Sequence, residues 1–488
     1  MSVSIVQYFG AQTSKCGYCT GTECSKSHGM HAYRLSCDDY QKLIDRGWRR
    51  CGNYCYKPQN DVTCCPCYTI KCDALEFKLT KSNKRILRRM NKFLRDGKRD
   101  SSEQHQQSKN NDGDGDADDL GIAGNTSEPH PQLPDKKPSI IDVAHVETLA
   151  QQRASQLKTA SVVKSQEGGE GARISGDSDQ SAASKIFTSS NPPRKKAKQM
   201  RLERRQAKAC APKEHKVTQE KSLRDFLTSA SDTDKHKLKI VLVAASDIQH
   251  SCTDAVHALY RKYQLVIHND NPARLTLASM QRFLVKTPLK HEKSEDTPDM
   301  GYGSFHQQYW LDDKLIAVGV IDILPGSVSS VYFFYDPDYS FLSLGTYGSL
   351  REIDLVQTIA KGMPALKYYY MGFYIHSCTK MRYKGKLSAS YLLCPETYIW
   401  VPLTDAIRSK LDAKQYQRLN PVATDKDANE FVNQNVNDVQ LLLDPRNCIT
   451  YQRFVQRIGP YDGRDAIIEY GKLVGKVCAH RMIYVSMS

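Results

Sequence analysis

The sequence has no run approaching 18 apolar residues, so it predicts no segment able to cross a membrane. Its first ten residues, MSVSIVQYFG, also lack the charged start and long apolar centre of a secretory signal. We therefore expect a protein that is not exported and whose thiols stay reduced. In that setting, clustered cysteines indicate metal ligands rather than disulfides.

Several familiar catalytic motifs are absent as well. The sequence has no Gly-x-Ser-x-Gly nucleophile turn, no phosphate-cradling glycine loop and no His-Glu-x-x-His helix. The chemistry must therefore be argued from other residues.

Aromatic residues nearly vanish between about 98 and 235, where Gln, Ser, Asp, Gly and Lys dominate. Such a segment buries too little apolar surface to offset its chain entropy, so we predict a disordered linker there. The composition then predicts a cysteine-rich metal-binding domain over 1–97, the linker over 98–235, an ordered core over 236–410 and a mostly helical extension over 411–488. The residues that we expect on one packing face of that extension are Phe431, Val432, Val436, Val439 and Leu442.

Positive charge is in excess, with a net charge of +15 and a pI near 9.0. This balance indicates a polyanionic partner, although a basic surface can also serve solubility alone. Within the predicted linker, residues 194–208 form a basic run. It can be a solvated tail, a nuclear-import signal or an electrostatic arm for RNA.

Ten of the sixteen cysteines fall within the first 72 residues. Cys16 and Cys19 form a Cys-x-x-Cys pair, and Cys64 and Cys65 form an adjacent pair whose kinked turn Pro66 can supply. Thiolates suit zinc or iron–sulfur clusters, so we predict that these four cysteines hold Zn or a 4Fe–4S cluster. Other possible ligands are also available: Cys24, His28, Cys37, Cys51, Cys55, Cys67 and Cys72.

The order of elements after residue 236 indicates the fold. Strand, helix, three antiparallel strands, helix and strand are predicted in turn, with a tight hairpin at Asp312-Asp313. This order is that of a GNAT-like acyltransferase, an α+β fold. GNAT acetyltransferases bind the cofactor's pyrophosphate at a glycine-containing loop, whereas the corresponding residues here, 336–343, have no glycine. We therefore expect an acyl donor other than acetyl-CoA.

Aromatic and basic side chains are concentrated between 368 and 384. Aromatic faces stack on bases and interleaved cations neutralise phosphates, which is how proteins hold single-stranded RNA ends. The tyrosines can equally be core residues of a strand. The residues in question are Tyr368, Tyr369, Tyr370, Phe373, Tyr374, His376, Lys380, Arg382, Tyr383 and Lys384.

Longer strings resemble one family, the eukaryotic arginyl-tRNA–protein transferases. The N-terminal likeness lies in CGYC at 16–19, YQKLIDRGWRR at 40–50 and TCCP at 63–66. The C-terminal likeness lies in SFHQQY at 304–309, LIAVGVIDILP at 315–325 and SSVYFFYDP at 329–337. It continues in YMGFYIHSC at 370–378, KMRYKG at 380–385 and LCPETY at 393–398.

The resemblance implies transfer of arginine from arginyl-tRNA to the amino terminus of proteins that begin with Asp, Glu or oxidised Cys. This marks them for ubiquitin-dependent degradation. It also implies a GNAT-like fold and a metal or cluster on the four paired cysteines. We expect a monomer in the cytoplasm and nucleus, with no membrane partner.

This reaction needs a carboxylate for the arginine guanidinium, cations for the acidic acceptor and a surface for the tRNA end. We predict Asp322, Glu396 and His306 as catalytic residues, the two carboxylates for guanidinium or proton handling. The predicted substrate-binding residues are Gln307, Tyr335, His376, Lys380, Arg382, Tyr383 and Lys384. The alternative hypothesis is a non-enzymatic, metal-dependent RNA-binding protein.

Overall fold

The computed structural model describes residues 3–19, 21–98, 137–149, 220–444, 447–459 and 463–486. Backbone contacts place residues 1–155 and 222–488 in one unit, and only Glu220 and Lys221 of the other unit, 156–221, are described. The basic run at 194–208 lies outside the described residues. Within the described part of the chain, no helix is long and apolar enough to cross a membrane.

The elements of the described residues alternate between strands and helices along the chain. The strands are β1 (Ile5–Ser14), β2 (Ser25–Arg34), β3 (Arg49–Cys51), β4 (Tyr54–Pro58), β5 (Tyr68–Asp73), β6 (Leu238–Ala244), β7 (Gly303–Leu311), β8 (Lys314–Leu324), β9 (Ser327–Tyr335), β10 (Tyr368–Tyr374), β11 (Ser390–Leu393), β12 (Trp400–Pro402), β13 (Gln440–Asp444), β14 (Asn447–Thr450) and β15 (Ile483–Val485). The helices are α1 (Cys37–Ile44), α2 (Lys81–Asp96), α3 (Leu223–Leu227), α4 (Ile248–Ser251), α5 (Asp254–Tyr263), α6 (Leu277–Met280), α7 (Leu344–Ile359), α8 (Thr379–Arg382), α9 (Asp405–Ala413), α10 (Tyr451–Ile458), α11 (Arg464–Val474) and α12 (Lys476–Arg481).

Eight of these strands form the larger sheet, in the order β12-β11-β5-β10-β9-β8-β7-β6. Neighbouring residues of β9 point to opposite faces of it. Phe334 meets Tyr260 of α5 edge-on at 5.7 Å on one face, and Phe333 packs against Gly348 of α7 on the other. The predicted hairpin turn at Asp312-Asp313 is confirmed, with left-handed φ angles of 46° and 66°.

Strands β9 and β10 are parallel neighbours over only three residue pairs. Tyr368, Tyr369 and Tyr370 pair with residues 327–329, and no pairing continues beyond them among the described residues. Gly372, with φ of +72°, interrupts the register of β10 with β5 on its other side. The two strands therefore diverge, and a cleft opens between them against α7.

The smaller sheet has seven strands in the order β14-β13-β15-β1-β2-β4-β3. It corrects the prediction that 411–488 is mostly helical. Leu442, predicted on a helical face, lies in β13, and only a short 3₁₀ turn covers residues 433–438. The last strand, β15, pairs in parallel with β1 and with β13. The apolar spacing within 431–442 could not reveal that Leu441 and Leu442 pair with Tyr484 and Val485 of β15.

The stretch predicted as an N-terminal domain contributes a strand to the larger sheet. In β5, Cys72 pairs with Tyr369 of β10 and with Ser390 of β11. One continuous apolar core extends through both sheets. The boundary predicted at residue 97 therefore does not separate two sheets.

Parts of the predicted linker are ordered, which corrects that prediction for them. Residues 143–149 are helical and bury Val146 against Ile5 and Leu442. Helix α3 buries Leu223 and Phe226, and the Phe226 carbonyl accepts a hydrogen bond from Asn91 of α2 at 2.9 Å. Each segment has too few apolar residues for its periodicity to stand out in a polar sequence.

Candidate active site and thiolate centre

The four cysteines of the predicted pairs lie together, with all four sulfurs within 4.8 Å of one another. The Sγ atoms of Cys19 and Cys64 are 3.6 Å apart. Cys16 and Cys65 are buried, whereas Cys19 is exposed. All fifteen described cysteines are free thiols. The structure therefore brings together the four cysteines that the sequence predicts as metal ligands.

This donor set fits a metal that prefers soft ligands. A tetrahedral zinc ion with Zn–S bonds of about 2.3 Å holds its sulfurs about 3.8 Å apart. An iron–sulfur cubane holds its thiolates farther apart, because the iron atoms stand between them. The sulfurs as they lie are nearer to the single-ion spacing.

Short loops place the four thiols. The backbone N–H of Cys64 donates to the carbonyl of Cys24 at 3.1 Å, which fixes the second pair beside the first loop. A hydrogen bond from the backbone N–H of Gly21 lowers the pKa of Cys19 to about 7. Burial raises the pKa of Cys65 to about 12. The exposed Cys19 therefore loses its proton more easily than the buried Cys65.

The apolar side of this thiolate centre is formed by Ile375, which follows β10, and by Met381 of α8. Cys24, Cys67 and Cys378 pack against the same small core. The centre therefore contacts the segment that carries the predicted substrate-binding residues. Sequence spacing did not indicate Cys378, because only the fold brings it here.

The cleft between β9 and β10 is small, with a volume of about 40 Å³. Two of the predicted substrate-binding residues, Tyr383 and Lys384, line it. Its walls combine aromatic rings of both strands with small residues of α7. The other lining residues are Ser330, Val331, Tyr332, Phe333, Gly345, Ser349, Glu352, Tyr369 and Met371.

A buried carboxylate lies in this cleft. Glu352 of α7 is 1% exposed, and its Oε2 accepts a hydrogen bond from the Tyr369 hydroxyl at 2.6 Å. Burial raises the pKa of Glu352 to about 7, although hydrogen bonds from Tyr369 and Ser330 act in the opposite direction. Burial also raises the pKa of Tyr369 well above 10, so its hydroxyl remains a donor.

His376 lies where the chain leaves β10, at the centre of a polar network. Its Nδ1 is 2.7 Å from the Tyr374 hydroxyl and its Nε2 is 2.7 Å from Asp412 Oδ1. Arg382 donates from Nε to the His376 carbonyl, and its Nη2 reaches Asp412 at 3.5 Å. The hydrogen bond and charge of His376 lower the pKa of Asp412. Lys380 is exposed on the adjacent α8.

Asp322 lies away from the cleft. It is fully buried, and its two oxygens accept from Arg50, with Nε–Oδ2 at 2.8 Å, while the Ser304 hydroxyl donates at 2.7 Å. Its carboxylate is already paired with a guanidinium of the protein itself. This arrangement favours a structural role over the substrate contact that we predicted.

Three other predicted residues lie inside the sheet packing. His306 is fully buried, its Nε2 is 3.1 Å from the Leu284 carbonyl, and burial lowers its pKa. Gln307 accepts from the Tyr309 hydroxyl at 2.5 Å. Tyr335 is 3% exposed against Tyr263. None of the three lines the cleft, so their predicted roles have no support from position.

Glu396 lies at a different cavity of about 350 Å³ and accepts from Arg418 at 3.3 Å and from Tyr416 at 3.2 Å. An adjacent cavity of about 160 Å³ contains the buried Lys57, whose Nζ donates to the Tyr398 hydroxyl at 2.7 Å. Burial lowers the pKa of Lys57. Burial alone would raise the pKa of Tyr398, but the charge of Lys57 contributes to lowering it.

Sequence reasoning missed Glu352, Asp412 and Lys57. For Glu352 a signal was available, because helical spacing places it one turn after Gly348 on a stripe of small residues. A charged residue on a small-residue stripe is unusual on a packing face. Asp412 and Lys57 offered no comparable signal, since their partners are distant in the sequence.

Comparisons with known proteins agree with this arrangement. The family model for the N terminus of arginine-tRNA-protein transferase matches residues 14–85, and the C-terminal model matches residues 255–394. Arginyl-tRNA–protein transferase 1 of Drosophila melanogaster is 59% identical over 493 residues, covering 99% of this chain and 100% of the relative. Arginyl-tRNA–protein transferase 1 of Arabidopsis thaliana is 36% identical over 482 residues, covering 86% and 76%. An aspartate/glutamate leucyltransferase of Campylobacter jejuni is 39% identical over 94 residues, covering 19% and 37%.

The N-terminal match contains the thiolate centre and the C-terminal match contains the cleft. Together they define an aminoacyltransferase. At the identity and coverage found, the chain belongs to the arginyl-tRNA–protein transferase family. The resemblance stated from the sequence is thus confirmed.

Proposed function

We propose that this protein transfers arginine from arginyl-tRNA to the α-amine of proteins beginning with Asp, Glu or oxidised Cys, and so marks them for ubiquitin-dependent degradation. The relatives' names support arginyl-tRNA as the donor. The name of the shorter Campylobacter relative supports acidic acceptors. The cleft between β9 and β10 is the single observation that carries the site assignment. A GNAT-like core, with its acyl site between two diverging parallel strands, accounts for that cleft.

The reaction forms one bond and breaks another. The acceptor's amine nitrogen attacks the carbonyl carbon of the arginyl ester, the amide C–N bond forms, and the ester C–O bond to the terminal ribose breaks. The amine loses a proton and the ribose oxygen gains one. Since the ester is activated and an α-amine has a pKa of about 7.7–8.0, positioning supplies most of the required acceleration.

His376 is the group best placed to take the amine proton. Asp412 orients its ring through Nε2, and Tyr374 contacts Nδ1, so the proton can pass between the imidazole and the phenol. Arg382 and Lys380 provide exposed positive charge beside this network for the acceptor's carboxylate.

The thiolate centre has a structural part in this proposal. A bound zinc ion or iron–sulfur cluster on Cys16, Cys19, Cys64 and Cys65 would fix the two cysteine loops against Ile375. His376 follows Ile375 directly, so the loops would hold the end of β10 in place. Metal analysis and the visible spectrum distinguish zinc, which is colourless, from a brown cluster.

The proposal is tested with purified protein, arginyl-tRNA carrying labelled arginine, and peptides that differ only in their first residue. Label should enter peptides beginning with Asp or Glu, but not Ala or Lys, and only when tRNA is present. No transfer by metal-loaded protein that still binds RNA would favour the non-enzymatic alternative. The location in cytoplasm and nucleus stays a prediction, which imaging of the tagged chain would check.

A further inference from the structure

Glu352 is a buried carboxylate. In the part of the chain that the structure describes, it accepts hydrogen bonds from two hydroxyls, those of Tyr369 and Ser330, and has no cationic partner. By contrast, the buried Asp322 is neutralised by Arg50. Burying a carboxyl group without a positive partner is costly, so an uncompensated one in a cleft points to a ligand that supplies the charge.

The space beside Glu352 has the size of a small cationic head group. The cleft volume of about 40 Å³ has room for about three water molecules. A guanidinium, with four heavy atoms, is of comparable size. A Cβ at Gly319 of β8 would lie 2.9 Å from Glu352 Oε1. Glycine at that position therefore leaves room for the Glu352 carboxylate against the sheet.

The walls of the cleft suit the rest of an arginine side chain. Phe333 and Met371 present apolar surface between the strands, against which three methylene groups can pack.

The other carboxylates considered for this role are less suited to it. Asp322 is fully buried and already paired with a guanidinium. Glu396 is 39% exposed, pairs with Arg418 and lies at a different cavity. An exposed carboxylate discriminates weakly, because water competes with the ligand for its oxygens.

We propose that Glu352 selects the amino acid that is transferred, by accepting the guanidinium of the arginyl group in the cleft between β9 and β10. The inference rests on the proposed function and adds its specificity residue. Two parallel N–H···O bonds between guanidinium and carboxylate would give orientation as well as affinity. Tyr369 then holds the carboxylate in place from the strand side.

Citrulline is the matched probe, since it has the shape of arginine but a neutral urea group in place of the guanidinium. Calorimetry would compare the binding of two compounds, adenosine that carries arginine on its ribose and adenosine that carries citrulline there. In both compounds an amide bond attaches the amino acid, so that it cannot be transferred. We expect the intact protein to bind the arginyl compound about 10- to 100-fold more tightly. In E352Q the affinities for the two compounds should differ by no more than about threefold.

Asp354→Asn is the control, because Asp354 lies two residues along α7 and pairs with Arg224 outside the cleft. It should keep the preference for arginine. Thermal unfolding of each variant shows whether it is folded. A folded E352Q protein that keeps the wild-type ratio of the two affinities would overturn the proposal. This holds also if both compounds bind more weakly by the same factor. Failure of the intact protein to transfer arginine would instead contradict the proposed function. The ratio of the two affinities does not depend on transfer, so the two failures can be distinguished.

Discussion

Two carboxylates buried against the same sheet have opposite surroundings. Asp322 is paired with Arg50, whereas the partners of Glu352 among the described residues are hydroxyl donors. Within that part of the chain, the charge of Asp322 is compensated and that of Glu352 is not. The difference assigns Asp322 to the stability of the fold and Glu352 to the binding of a cation.

Asp322→Asn should therefore act mainly on stability. Removing one partner of a buried ion pair leaves the other charge uncompensated, which typically costs about 3–5 kcal/mol. We expect the urea midpoint of D322N to fall accordingly. The control is Asp405→Asn, since Asp405 is fully exposed in its pair with Arg408 and should change little. A D322N protein of wild-type stability that had lost only its transfer activity would restore the catalytic role predicted from the sequence.

Glu352→Gln should change how stability depends on pH. The pKa of Glu352 in the folded protein, about 7, lies above the ordinary value of 4.5, so the wild-type protein loses stability as pH rises from 4.5 to 7. Glutamine has no such titration. Relative to wild type without ligand, E352Q should gain of the order of 3 kcal/mol between pH 4.5 and 8. Denaturant unfolding measured across this range tests it, and a constant difference would contradict the raised pKa.

Among the elements, β10 connects the two functional regions. Its start forms the cleft with β9, and its end leads to Ile375 beside the thiolate centre and to His376. A change at the cysteine loops can therefore reach the polar network through a short stretch of backbone.

Removing the metal should loosen the backbone that follows β10. Because Ile375 and Met381 pack against the sulfurs, we expect faster hydrogen exchange over residues 375–384 after chelation. Exchange in β7 and β8 should be unchanged, which makes those strands the internal control. Equal protection of 375–384 with and without metal would contradict a structural part for the centre.

Local elements could be predicted from the sequence because their causes are local. The hairpin at Asp312-Asp313, for example, depends on neighbouring residues. The four paired cysteines carried their own spacing signal. The insertion of β5 between β10 and β11, and the pairing of β15 with β1, depend on distant strands. Helical spacing gave a signal that Glu352 is unusual, but its role could not be predicted, because its cleft exists only where two strands diverge.

At the scale of the whole molecule, the net charge of +15 fits a nucleic-acid substrate. The cleft is small, so most of a tRNA must lie on the surface outside it. Binding of the RNA body and recognition of the amino acid are therefore separate contributions.

Salt concentration should weaken the binding of the RNA body far more than the recognition of the amino acid. Each neutralised phosphate adds about 0.7–0.9 to the slope of log affinity against log salt. We expect the KM for arginyl-tRNA to rise about tenfold or more between 50 and 200 mM salt. Binding of the amide-linked arginyl-adenosine, which has no phosphate, should change far less. Equal salt sensitivity of the two would contradict a separate RNA surface.

The central claim is that the cleft between β9 and β10 receives arginine on Glu352 and delivers it to an acidic acceptor. The most direct test is transfer from arginyl-tRNA and from the same tRNA charged with citrulline, into one peptide beginning with Asp. The intact protein should transfer arginine far faster than citrulline, and E352Q should transfer the two at similar rates. An unchanged preference for arginine in a folded E352Q protein would contradict the account.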